Sequence, residues 1–215
     1  MLPTAPFRHT PRVRPSPVYF LIGLFSWPVL HGLFRLRARG TENIPAGGFV
    51  LAANHVSNLD PWPLGLPIWP RRFLRFMAKS ELYWWPLGHL LNAGGAFPVR
   101  RGQADVEAIE TAVRLAREGH VVAMFPEGTR RRKGLRKKWE ARPRTGAARI
   151  ALEAGVPLVP AATKGTNNLA RLGPIRVAYG EPVELDDLRG LEPRDAATQA
   201  TERLMVRIAE LEASL

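Results

Sequence analysis

Phe49-Val50-Leu51-Ala52-Ala53 is five consecutive apolar residues with no polar alternation. A strand with one wet face alternates apolar and polar side chains, so a short unbroken run marks a strand covered on both faces. Residues 121–125 and 158–162 repeat the pattern. Between these runs lie stretches with helical period. Residues 103–118 place Val106, Ile109, Val113 and Ala116 on one face before a stop at Gly119, and residues 146–154 read as a second helix. Further strands are expected over 36–41, 73–78 and 175–179, a short apolar helix over 84–91, and a C-terminal helix carrying Leu204, Ile208, Leu211 and Leu215. Strands alternating with helices predict an α/β fold, a single-domain sandwich whose largely parallel mixed sheet is flanked by helices. A chain of 215 residues has room for one such domain, expected over 36–215.

The N-terminus differs from this body. Residues 1–17 hold five prolines with Arg8, Arg12 and Arg14 among them, and read as a disordered basic tail. Residues 18–34, VYFLIGLFSWPVLHGLF, carry no charge. The run falls short of the roughly 20 apolar residues of a spanning helix and contains Pro28 and His31. Arg35, Arg37 and Arg39 follow it, so the expectation over 18–35 is a helical anchor lying in a membrane interface. A buried core helix is the alternative; a signal peptide is set aside because no small-x-small cleavage site follows. The chain has 31 Lys+Arg against 19 Asp+Glu, a formal charge of +12 that draws anionic partners, whether a membrane surface, a phosphorylated substrate or nucleic acid. It has no cysteine, which excludes disulfides, thiolate metal sites and a cysteine nucleophile.

Two of the strands end in chemistry. Asn54-His55 follows the first run, and Asp60 comes five residues after His55. On a continuous helix two such residues would point about 140° apart, so they meet only if a turn separates them. Asp60-Pro61 has the form of a helix start, which supplies that turn. A carboxylate on one imidazole nitrogen leaves the other to take a proton. The simpler alternative makes Asp60 an N-cap and His55 a partly buried polar residue. Phe125-Pro126-Glu127-Gly128-Thr129-Arg130 follows the second run; its glycine turn and arginine suit an anion. Nine basic residues stand between positions 130 and 144 against one acidic residue, Glu140, which would extend a positive rim there. Residues 94–101 read as a strand with a basic end at Arg100 and Arg101. His9, His31, His89 and His120 lack a comparable setting. No nucleophile elbow, Walker phosphate loop, dinucleotide fingerprint or histidine pair at metal spacing occurs, which leaves a histidine base acting directly on a hydroxyl beside a bound phosphate.

With those segments in order, the chain resembles the glycerolipid acyltransferase family typified by bacterial 1-acylglycerol-3-phosphate acyltransferases. Asn54, His55 and Asp60 match its N-H-x-x-x-x-D motif; Gly95, Phe97 and Arg100 its second; residues 125–130 its F-P-E-G-T-R; and residues 156–160 its V-P-[LIV]-V-P segment. The resemblance runs over about 36–162 and departs at Arg131, where serine is usual. It implies that His55 is the catalytic base and Asp60 its orienting carboxylate. Arg100, Arg130 and the turn at Glu127, Gly128 and Thr129 would hold the substrate phosphate, while Val156, Pro157 and Pro160 would shape the acyl side or serve structure. The implied reaction moves an acyl group from acyl-CoA or acyl carrier protein to the sn-2 hydroxyl of lysophosphatidic acid, giving phosphatidic acid, with no cofactor and no metal. The expected setting is the cytoplasmic face of the cell membrane, monotopic or peripheral on an anionic surface. Two rivals are the same chemistry on another lysolipid and, more distantly, a membrane-attached basic nucleic-acid-binding module; no nucleic acid is expected.

Overall fold

The computed structural model describes residues 15–100, 106–127 and 143–215. Among these, seven strands, numbered in chain order, form one sheet. Its spatial order is β1 (Arg37–Arg39), β7 (Arg176–Tyr179), β6 (Leu158–Lys164), β2 (Phe49–Ala53), β5 (Val121–Met124), β3 (Leu74–Lys79) and β4 (Ala96–Val99). Every neighbouring pair is parallel except β6 with β7. Five strands therefore run one way and bring their carboxyl ends to one edge, while β7 and β1 run against them. This is the largely parallel mixed sheet that the apolar runs predict.

Strand β2 shows why its sequence lacks alternation. All five residues are fully buried. Val50 and Ala52 enter a core beneath the helices α4 (Val106–Arg117), α5 (Gly146–Ala154) and α6 (Pro193–Ala213). Phe49, Leu51 and Ala53 enter a second core on the opposite face, with Leu30, Leu64 and Tyr179. Losing a buried leucine such as Leu51 to alanine costs about 2–5 kcal/mol.

The helical expectations hold in part: the helix expected over 84–91 runs from Leu87 to Ala93, and Leu215 lies beyond the end of α6. Helix α5 has the expected bounds, and Leu204 and Ile208 of α6 are buried. On α4, Val113 and Ala116 are buried as expected and Ile109 partly so, but Val106 is 55% exposed. The stripe runs instead through Ala108, Ala112 and Leu115, because α4 packs against α5 and small side chains let the helices approach.

Residues 1–14 lie outside the described part of the chain. Within the expected tail, Ser16 is buried, and its hydroxyl accepts the Tyr19 N–H at 3.1 Å, capping α1 (Pro17–Pro28). Residues 16 and 17 thus belong to the helix. Pro28 ends its α-helical part, and the chain continues through one π-helical stretch, Val29–Leu33. Tyr19, Gly23, Ser26 and Leu30 are the buried stripe, and the Tyr19 hydroxyl accepts the Leu74 N–H at 3.2 Å. Burial raises the Tyr19 pKa. Two short helices, α2 (Pro61–Gly65) and α3 (Leu87–Ala93), complete this face. Among the described residues no helix is long and apolar enough to cross a membrane. Arg75 of β3 is fully buried, its guanidinium 4.8 Å from the Phe73 ring, with burial lowering its pKa to about 10.

Candidate active site

The parallel strands deliver the motif residues to their shared carboxyl edge, where α/β folds bind ligands. Asn54 comes first after β2 and extends the ladder with its side chain. Its Oδ1 accepts the Thr163 N–H at 2.8 Å, and its Nδ2 donates to the Thr163 carbonyl at 3.0 Å. Asn54 is fully buried, so its amide needs both partners, and the clamp onto β6 fixes where the next residue leaves the sheet.

That next residue is His55, 6% exposed, with Nδ1 at 2.8 Å from Asp60 Oδ2. The same oxygen accepts the Val56 N–H at 2.8 Å and the Ser57 N–H at 2.9 Å, and Oδ1 accepts the Thr166 hydroxyl at 2.6 Å. Asp60 is fully buried. An ionised carboxylate only accepts, so Nδ1 carries the imidazole proton and Nε2 is left as the acceptor. Asp60 does not act as the N-cap of α2 through its side chain. Asp60 does precede α2, with Pro61 as its first residue, but its side chain makes no bond into that helix. It turns back instead to the turn that His55 opens. On the other side the Phe125 ring stacks on the imidazole, centroids 4.3 Å apart and planes 23° from parallel, which fixes the ring plane.

The remaining expected residues divide. Glu127 follows β5, which neighbours β2, and is buried at the same edge. The adjoining Pro126 carbonyl accepts the Arg144 N–H at 2.8 Å. Gly128, Thr129 and Arg130 lie outside the described residues. Arg100 is exposed directly after β4, again at the carboxyl edge, but β5 and β3 stand between β4 and β2. At the usual spacing that is about 14 Å of sheet. Val156, Pro157 and Pro160 are elsewhere. Val156 and Pro157 lead into the amino end of β6, the opposite edge from His55, where the Pro157 carbonyl accepts the Val50 N–H at 3.0 Å. Pro160 lies within β6, and its carbonyl accepts the Gly180 N–H at 2.8 Å. Their contacts belong to sheet pairing and the helix-side core.

The apolar space beside the His55–Asp60 turn lies on the α1 side instead. A cavity of about 450 Å³ is bounded by Leu59 and Trp62 next to Asp60, by Ile22 and Ser26 of α1, and by Leu90 and Leu91 of α3. Its size and lining are those of a small-ligand pocket. Among the described residues no three acidic or histidine side chains converge as a metal site.

Sequence reasoning passed over two members of the site. Phe125 was part of a motif but had no role, and Thr166 was not singled out. A signal for Thr166 existed: it follows the 158–162 run after Gly165, the same strand-then-glycine form as residues 125–128. Gly165 has φ +95, and a Cβ there would run into the Pro174 carbonyl, so the turn that delivers Thr166 requires glycine.

Known proteins share this fold and sequence pattern. A family model described as Acyltransferase matches residues 35–164. The chain is 37% identical over 181 residues to the 1-acyl-sn-glycerol-3-phosphate acyltransferase of Bacillus subtilis (strain 168), covering 81% of this chain and 86% of that protein. It is 29% identical to the protein of the same description from Haemophilus influenzae, covering 76% of this chain and 69% of that one. The crystal structure of the 1-acyl-sn-glycerophosphate (LPA) acyltransferase PlsC from Thermotoga maritima superposes with a TM-score of 0.63 at 26% identity, covering 90% of this chain and 79% of that chain. With the family model spanning more than half of its length and a close relative matched along most of it, this chain belongs to the acyltransferase family and is an enzyme of that class.

Proposed function

We propose that the enzyme transfers a fatty acyl group from a thioester, acyl-CoA or acyl carrier protein, to the sn-2 hydroxyl of lysophosphatidic acid, giving phosphatidic acid. The observation that carries the reading is the 2.8 Å contact of His55 Nδ1 with a buried Asp60 carboxylate, which leaves Nε2 ready to accept a proton. Nε2 takes the acceptor's hydroxyl proton as that oxygen attacks the thioester carbonyl carbon. The carbon–sulfur bond then breaks, and the imidazolium returns its proton to the departing thiolate. A positioned general base contributes about 10²–10⁴-fold. The names of the B. subtilis and H. influenzae relatives supply the acceptor.

Arg130 and the turn at Glu127, Gly128 and Thr129 would hold the phosphate beside His55, because β5 adjoins β2. Arg100 would approach from the β4 side with its side chain extended. The acyl tail of the acceptor fits the cavity beside Leu59. The exposed apolar face of α1 and the net charge of +12 support work at an anionic membrane surface, with the protein peripheral or monotopic on the cytoplasmic side.

The test is product identification. Purified enzyme is incubated with a panel of lysolipids and with each thioester donor, and the lipids formed are read by mass spectrometry. Phosphatidic acid from lysophosphatidic acid in clear excess over other products supports the reading; preference for a lysolipid without the phosphomonoester overturns the acceptor assignment.

A further inference from the structure

Helix α1 is inside out. Its buried stripe includes the small residues Gly23 and Ser26, while Leu21, Leu24, Phe25 and Trp27 are 50–71% exposed. Isolated apolar side chains on a surface need no explanation, but a whole helix face does. A second exposed apolar group lies elsewhere in the chain. Leu82, Trp84, Trp85 and Leu90 are 41%, 58%, 76% and 55% exposed.

The fold brings the two groups together. Leu82, Trp84 and Trp85 connect β3 to α3, so they leave the sheet at its carboxyl edge, the edge that carries His55. The Gly88 N–H donates to the Trp84 carbonyl at 2.8 Å, fixing the connection at the start of α3. Helix α3 in turn meets α1: Ser16 Oγ donates to the Ala93 carbonyl at 2.9 Å, and Ile22 of α1 and Leu90 of α3 line opposite sides of the same cavity. Leu90 is both a cavity wall and half exposed, so the second apolar group forms a rim of the cavity across from α1.

Resting on the reading that the enzyme works at a membrane, we propose that Leu82, Trp84, Trp85 and Leu90 are a second membrane-inserting rim, separate in sequence from the N-terminal anchor. The two rims seat the carboxyl edge of the sheet on an anionic bilayer with the cavity opening between them. The composition fits lipid. Adjacent tryptophans favour the interface because their rings are apolar with one polar N–H. Cations border the patch at the same edge: Lys79 ends β3 and Arg100 follows β4, both exposed, as headgroup contacts require. One helix lying in the interface fixes rotation about its own axis through its exposed face but leaves the body free to tilt; a second point of insertion fixes which edge faces the lipid.

The test uses the full-length enzyme and vesicles of phosphatidylglycerol and phosphatidylcholine, with and without brominated acyl chains. Wild type and Trp84→Ser/Trp85→Ser are compared by vesicle flotation and by tryptophan quenching. Both side chains are mostly exposed and outside the catalytic machinery, so circular dichroism and turnover on detergent-dispersed substrate should match wild type. The expected result is that the variant needs about tenfold more lipid to float and loses much of the bromine-quenchable fluorescence. If wild type floats and the variant floats equally with quenching unchanged, the second rim is refuted while membrane attachment stands. If wild type itself does not float, the underlying membrane reading fails and takes this inference with it. Equal flotation accompanied by loss of a wild-type dimer on light scattering would assign the rim to a second copy of the chain, which also overturns the proposal.

Discussion

At the residue scale, Asp60 does more than sit beside His55. Four donors converge on its buried carboxylate, three on Oδ2 and the Thr166 hydroxyl on Oδ1. Without Thr166 the outer oxygen loses its partner, and the carboxylate is freer to rotate away from Nδ1. A hydrogen bond to a charged group is worth about 1.5–3 kcal/mol. Thr166→Val should therefore lower kcat about tenfold with little change in KM for the lysolipid, and Thr166→Ser should recover most of the loss; steady-state kinetics separates this from a packing defect, which serine would not repair. Arg130→Ala is expected to act the other way, raising KM for the phosphorylated acceptor with a smaller effect on kcat, as measured over a lysophosphatidic acid titration. His55 and Asp60 were legible in the sequence because they share one short segment and a turn signal lies between them. Thr166 was not, because it reaches Asp60 across 106 positions and through the pairing of β2 with β6, and no local pattern encodes that pairing.

At the scale of elements, unbroken apolar runs located β2, β5 and β6, since burial on both faces removes the alternation that would otherwise be visible. The order in which those strands lie side by side is not written in any one of them. Nor was the buried face of α4, where helix–helix approach selects alanines over the larger Val106. Helix α1 shows the limit in another way. Its sequence reads as uniformly apolar, and only the structure reveals that Gly23 is the contact point: a Cβ there would run into the Trp69 indole. Gly23→Leu should lift α1 from the body and destabilise the fold by about 1–3 kcal/mol, seen as a lower Tm and as faster proteolysis near residues 15–30. Unchanged melting and protection would mean that α1 does not dock as described.

At the scale of the whole molecule, the proposed membrane setting has a charge of +12 and an uncovered apolar helix acting together. Electrostatic attraction to an anionic surface weakens as salt shortens the Debye length, from about 10 Å at 0.1 M to about 3 Å at 1 M, whereas apolar insertion does not. Turnover on lysophosphatidic acid carried in phosphatidylglycerol vesicles should accordingly fall as sodium chloride rises, while turnover in neutral detergent micelles changes less; equal salt dependence in both would remove charge from the account. Everything else depends on proton removal by one imidazole at the carboxyl edge. The direct test is single-turnover transfer of a labelled acyl group from thioester to lysophosphatidic acid by wild type and by His55→Ala, with folding checked by circular dichroism. The account predicts labelled phosphatidic acid from wild type and a rate at least about 10²-fold lower in the variant. A folded His55→Ala enzyme that transfers the acyl group at the wild-type rate would contradict it.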